Sequence, residues 1–139
     1  MPTKLKFPLQ KQAVGDEVHR WFDCLAIGNY KAAYDLTFHD QYYEWTPKLI
    51  ENIINGYGLP HEQGETKYVV TDWRTASGKD RGGELDLYDK HVESGGYTQL
   101  GHAYYEVPLN GEWSDLSAVF RIVKYEDGAA LLLEEIHVL

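Results

Sequence analysis

The chain has 139 residues, 43% of them hydrophobic and 25% charged, which are the values of an ordinary globular protein. They exclude wholesale disorder, collagen and low-complexity fibre, and the length fits a single domain spanning residues 1–139. Lys and Arg number 13 against 22 Asp and Glu, a formal net charge of −9. That field repels a phosphate backbone and an anionic bilayer alike, so neither nucleic acid nor a membrane surface is an expected partner.

The single cysteine, Cys24, rules out an intrachain disulfide and a multi-cysteine metal site. No metal and no cofactor is expected. The N-terminus, Met1-Pro-Thr-Lys-Leu-Lys-Phe-Pro8, has two lysines but no apolar stretch behind them, so it does not read as a signal peptide. The longest apolar run, Ala129 to Leu133, is strand-sized. These features predict a soluble cytoplasmic protein. Aromatic residues make up 14%, with 11 Tyr and 4 Trp. That richness predicts an aromatic core, a lined pocket or an interface.

In chain order, Val14, Val18, Trp21, Phe22 and Leu25 fall on one stripe at helical spacing, and Gly28-Asn29 ends that helix. A second short helix runs from Tyr30 to Leu36. Phe38 to Trp45 reads equally as a helical turn or a short strand. Thr46-Pro47 is a helix start, and Leu49, Ile50, Ile53, Ile54 and Tyr57 carry a third helix, stopped by Gly56, Gly58 and Pro60.

After Glu65 the period changes to two. Strands are predicted over Lys67–Arg74, Glu84–Val92, Tyr97–Val107, Trp113–Tyr125 and Ala130–Val138. Short Gly-bearing turns join the last three into an antiparallel meander. The expected fold is α+β, with N-terminal helices packed on a strongly curved antiparallel sheet. In the fourth of these strands Leu116, Ala118, Phe120 and Ile122 share a face that should meet the helices. In the last strand Leu131 and Leu133 lie on one side and Leu132, Ile136 and Val138 on the other. Apolar residues on both faces of an antiparallel strand imply cover on both faces. Helices on one side only predict that a second copy covers the other.

The element order, the Tyr-Lys-Ala-Ala-Tyr-Asp-Leu segment 30–36 and the closing Phe120-x-Ile-x-x-Tyr-x-Asp-Gly128 hairpin resemble the NTF2-like superfamily of cone-shaped domains. The resemblance covers almost the whole chain. It rests on architecture rather than on a catalytic signature, and Ala129-Ala130 stands where members often carry a Trp. It implies a helix-capped cone and often a dimer through the sheet. The superfamily contains isomerases, cyclases, dehydratases, ligand binders and immunity proteins, so function must be read from the site.

Several constellations could carry chemistry. His102, Tyr104 and Glu106 alternate onto one strand face in steps of about 6.6 Å. They read as proton-moving groups around a small ligand, or as a wet or partner-facing outer surface. Asp72, between Thr71 and Trp73, reads as a base with a raised pKa in an apolar cone or as an outward strand carboxylate. Tyr34, Tyr42, Tyr43, Trp45 and Tyr57 gather around the second and third helices. With Trp21 and Phe120 they are the candidate lining of a cone pocket, or ordinary packing. His61-Glu62-Gln63-Gly64-Glu65 lacks the second histidine of a zinc-protease helix and reads as an acidic loop. Lys79-Asp80-Arg81 reads as a hairpin tip. Cys24 reads as packing beside Asp23.

The resulting expectation is a non-catalytic binding domain, using an aromatic-lined cone or its acidic surface. Its expected partner is a small hydrophobic ligand or a basic protein, and an inhibitor of a basic toxin is one version. The alternative is a metal-independent isomerase, cyclase or dehydratase with Asp72 or His102 as base and a tyrosine as donor.

Overall fold

The computed structural model describes residues 2–57, 67–78 and 83–138. Their order is β1 (Leu5–Lys6), α1 (Lys11–Ala26), α2 (Tyr30–Asp35), β2 (Phe38–His39), α3 (Pro47–Asn55), β3 (Gly83–Ser94), β4 (Tyr97–Leu109), β5 (Glu112–Tyr125) and β6 (Gly128–Val138). The His61–Glu65 segment, the helix stops at Gly58 and Pro60, and the Lys79–Arg81 tip lie outside the described residues.

Local chemistry sets the helices. The predicted stripe of α1 is its buried face, with Val14, Val18, Trp21 and Phe22 fully buried. Gly28 follows α1 at φ 77°, where glycine carries no penalty. The Asn29 side chain then accepts from Ala32 N at 3.0 Å and caps α2. Thr46 Oγ1 accepts from Leu49 N at 3.0 Å, and Pro47 opens α3. Ile50 and Ile54 of α3 are fully buried.

The sheet order is β1-β6-β5-β4-β3, antiparallel throughout that path. The ambiguous Phe38–Trp45 segment begins as strand β2, which pairs parallel with β6 at Leu132 and Leu133. β1 and β2 thus occupy the same edge of β6 in series. Register shifts interrupt every long pairing. Such bulges bend strands, and the sheet curls into a half-barrel around the helices.

Two corrections to the sequence reading follow from the ladders. Lys67–Arg74 is not a strand and makes a single bridge, Val70 to Leu109. Its neighbour is the β4–β5 connection, where Pro108 has no N–H to give and the chain turns at Asn110-Gly111. Both turn residues have positive φ (50° and 85°), as a primed two-residue hairpin requires. A ladder cannot continue along such a turn.

The second correction concerns β6. Phe120 faces Leu133, but Val119 faces Glu135, so the register skips Glu134. Beyond the skip, Ile136 faces Ala118 and Val138 faces Leu116, which places both on the helix side. They do not share the outer face with Leu132. The skipped carbonyl of Glu134 accepts from Trp45 Nε1 at 3.2 Å.

Outer-face Val119, Val123, Ala130 and Leu132 are at most 3% exposed within one chain. Phe38 lies beside Leu132 in the β2–β6 pair and packs on Tyr97 and Tyr125. The cover inferred for β6 therefore includes the chain's own β2 strap, and double-sided apolarity does not by itself call for a second copy. Among the described residues, no helix is long and apolar enough to cross a membrane.

Candidate functional site

Among the described residues, large side chains pack between the helices and the sheet. Trp21, Phe22 and Phe120 are the largest fully buried side chains. Trp21 meets Phe120 edge-on and Phe22 at a tilt, with centroids 5.2 and 5.8 Å apart. Leu25, Ile50, Ile54, Ile122, Leu131 and Leu133 complete the packing. Cavities of about 120, 380, 440 and 400 Å³ are lined by other residues.

The pocket-lining candidates touch in pairs, Trp21 with Phe120 and Tyr43 with Trp45, and are not gathered around any of these four cavities. Tyr34 stacks on His39 at 3.8 Å, on one flank. Tyr43 is 39% exposed and donates to Glu135 Oε2 at 3.0 Å, and Tyr42 is 82% exposed. Trp45 is buried and tied to the Glu134 carbonyl. Tyr57 packs on Tyr68 and donates to the Asp115 carboxylate, which raises its own hydroxyl pKa. Trp21 and Phe120 are core. Helical spacing could not separate these roles, because core and pocket walls carry the same residues.

Asp72 sits in the loop that replaces the predicted strand, and its carboxylate is exposed. Oδ1 accepts from Arg74 N at 2.9 Å and Arg74 Nη1 at 3.2 Å. The backbone N–H, then the guanidinium, lowers its pKa below the ordinary value. That is opposite to the shift a neutral-pH base needs. Cys24 is half-buried, and burial pushes its thiol up, with Asp23 and Glu17 adding and Arg20 opposing.

His102, Tyr104 and Glu106 face away from the helices, since their cross-strand partners are Arg121, Val119 and Ser117. This outer face holds a connected polar cluster. Tyr88 Oη lies 2.8 Å from His102 Nδ1. Burial raises the Tyr88 pKa, so its hydroxyl keeps its proton at neutral pH. His102 stacks on Tyr104 at 4.9 Å. Beside it, Arg121 donates from Nε to Glu134 Oε1 at 2.9 Å and from Nη2 to the same oxygen. The pairing raises the Arg121 pKa and keeps it charged.

Carboxylates outnumber cations on this face. Glu84 and Asp86 lie opposite Tyr104 and His102, and Glu106, Glu134 and Glu135 extend the acidic surface around Arg121. The 120 Å³ cavity opens beside Arg121, lined by His39, Asp40, Tyr97, Gln99 and Leu132. That is below the roughly 300 Å³ of an ordinary small-molecule site. Among the described residues, no group of three or more His, Cys, Asp or Glu is placed to hold a metal.

Asp72 and the His102–Tyr104 pair therefore belong to separate places. Tyr88 and Arg121 join the outer cluster through cross-strand register, which the sequence pattern of a single strand does not show. No family model, no characterised protein and no solved structure matches the chain.

Proposed function

We propose that this chain is an NTF2-like domain that works as a non-catalytic interaction module, binding a basic protein through its outer sheet face. One observation carries the reading: Trp21, Phe22 and Phe120 occupy the volume in which a small hydrophobic substrate would sit. The working chemistry is then on the surface. Tyr88, His102, Tyr104 and Arg121 form an amphipathic patch tied by a hydrogen bond and a ring stack, the composition that interface centres favour. Its carboxylates would steer and orient a cationic partner.

The test uses a lysine- and arginine-rich peptide as probe, titrated into the full chain as salt rises from about 0.1 M to about 1 M. Binding should weaken by about tenfold or more with salt. Asp86→Lys and Glu135→Lys should weaken it at low salt. Binding indifferent to salt and to both variants would remove the reading. A dimer by light scattering that Arg121→Glu breaks would instead assign the face to a second copy of the chain.

A further inference from the structure

On the helix side of the sheet, Tyr105 turns its ring toward α1, and two glycines are fitted around it. A Cβ at Gly83 would come within 2.4 Å of the ring, and one at Gly15 within 3.1 Å of the hydroxyl oxygen. Cross-strand glycine under an aromatic ring is a common sheet device. A glycine inside a 16-residue helix is different, because it weakens the helix. At Gly15 it leaves room for the Tyr105 hydroxyl.

That hydroxyl opens into a cleft of about 400 Å³, lined also by Lys11, Gln12, Asp16, His19, Trp73 and Leu85. Among the described residues it has no hydrogen-bond partner. One wall is braced. Trp73 stacks on His19 at 3.8 Å with planes 9° apart, and the Arg74 guanidinium lies 4.5 Å over the indole. Asp23 accepts from Trp73 Nε1 at 3.1 Å and from both Arg74 terminal nitrogens at 2.9 and 3.0 Å. Leu85 and the Tyr105 ring give the cleft apolar sides.

Its polar groups are few and asymmetric. Lys11 lies one helical turn before Gly15 and lines the same cleft as Tyr105. The Asp16 carboxylate takes the Gln12 amide at 2.8 Å. Burial and then the Asp16 charge raise the Tyr105 pKa, so its hydroxyl remains a donor, while Lys11 is the cation at the rim and Asp16 opposes more than one negative charge on a ligand. We infer that this cleft binds a small aromatic carboxylate, with the ring against Leu85 and Tyr105 and the carboxylate between the Tyr105 hydroxyl and the Lys11 ammonium. The site lies on the opposite side of the sheet from the proposed protein-binding face and stands independently of it.

The experiment titrates 2-naphthoate into the ¹⁵N-labelled full chain and follows amide shifts. Saturable shifts confined to Lys11–His19, Trp73, Leu85 and Tyr105 are expected. Tyr105→Phe, which keeps the ring, should weaken binding about tenfold, as loss of one hydrogen bond to a charged group does. Lys11→Gln sits on an exposed rim and carries the test should the tyrosine variant fold poorly; it should weaken binding severalfold. The neutral 2-naphthamide should bind about tenfold more weakly than 2-naphthoate. Scattered or non-saturating shifts overturn the site. Equal affinity for the amide, or wild-type affinity in the variants, overturns the carboxylate assignment.

Discussion

Trp21 on α1 and Phe120 on β5 cross at 90° with centroids 5.2 Å apart, at the centre of the cone. Both are fully buried. Their contact joins the helical layer to the sheet, and Trp21 Nε1 makes it without a hydrogen-bond partner among the described residues.

Phe120→Ala should therefore destabilise the fold by about 3–5 kcal/mol, the range for emptying a well-packed aromatic site. Trp21→Phe should cost less, because it removes a buried donor that has no acceptor. Denaturant unfolding at neutral pH measures both. A Phe120→Ala loss below about 1 kcal/mol would mean that the interior is not close-packed and would reopen the cone as a ligand site.

Gly15 and Tyr105 should be coupled. Alanine is better than glycine inside a helix by about 1 kcal/mol, but a Cβ at position 15 would stand 3.1 Å from the tyrosine oxygen. Gly15→Ala alone should gain little or lose stability. In the Tyr105→Phe background, where the oxygen is absent, the same change should gain about 1 kcal/mol. A double-mutant cycle with no interaction energy would refute the fit between them.

Stability should also fall on mild acidification through His39. Its ring stacks on Tyr34, and Nε2–H donates to the Tyr34 carbonyl at 2.8 Å. Burial lowers its pKa from 6.5, opposed in part by that carbonyl and by Asp35. Below pH 6.5 the unfolded chain thus takes up a proton before the native state does. The neutral-pH stability is lost as pH falls from 6.5 through the lower native value, and His39→Gln should flatten that part of the profile. Thermal midpoints across this range, compared between the two proteins, give the answer.

Asp23 ties loop 71–74 to α1. The ion pair with Arg74 is substantially exposed, with side-chain exposures of 53% and 41%. Asp23→Asn should therefore change global stability by less than about 1 kcal/mol. It should still loosen the loop, because Trp73 and Arg74 share the same carboxylate. Limited proteolysis should show faster cleavage between residues 67 and 78, whereas an unchanged rate would mean that the Trp73–His19 stack alone holds the segment.

The fold was readable where one residue type does one job. The α1 stripe, the Thr46-Pro47 start and the Leu116-Ala118-Phe120-Ile122 face all appear where their spacing places them. The misplacements share a physical origin in contacts distant along the chain. Ile136 changes sides because one residue of β6 is skipped, and alternation assumes that none is. Lys67–Arg74 has strand composition, but the turn beside it has no ladder to offer. The outer cluster was only partly visible: His102 and Tyr104 stood out by alternation, whereas Tyr88 and Arg121 join through cross-strand register. Nothing local in the sequence marks Gly15 as the complement of Tyr105, since the two are brought together only by the packing of α1 on β4.

β3 ends the sheet, with β4 on one side and no strand on the other among the described residues. A bare strand edge is a template on which another chain can polymerise. Here it bears Glu84, Asp86, Asp89 and Glu93, with Lys90 among them, and its register slips between Leu87 and Val92. Like charges and a broken repeat guard that edge against stacking of identical copies. The same acidity therefore has a colloidal consequence: it keeps concentrated molecules from growing end to end into fibrils.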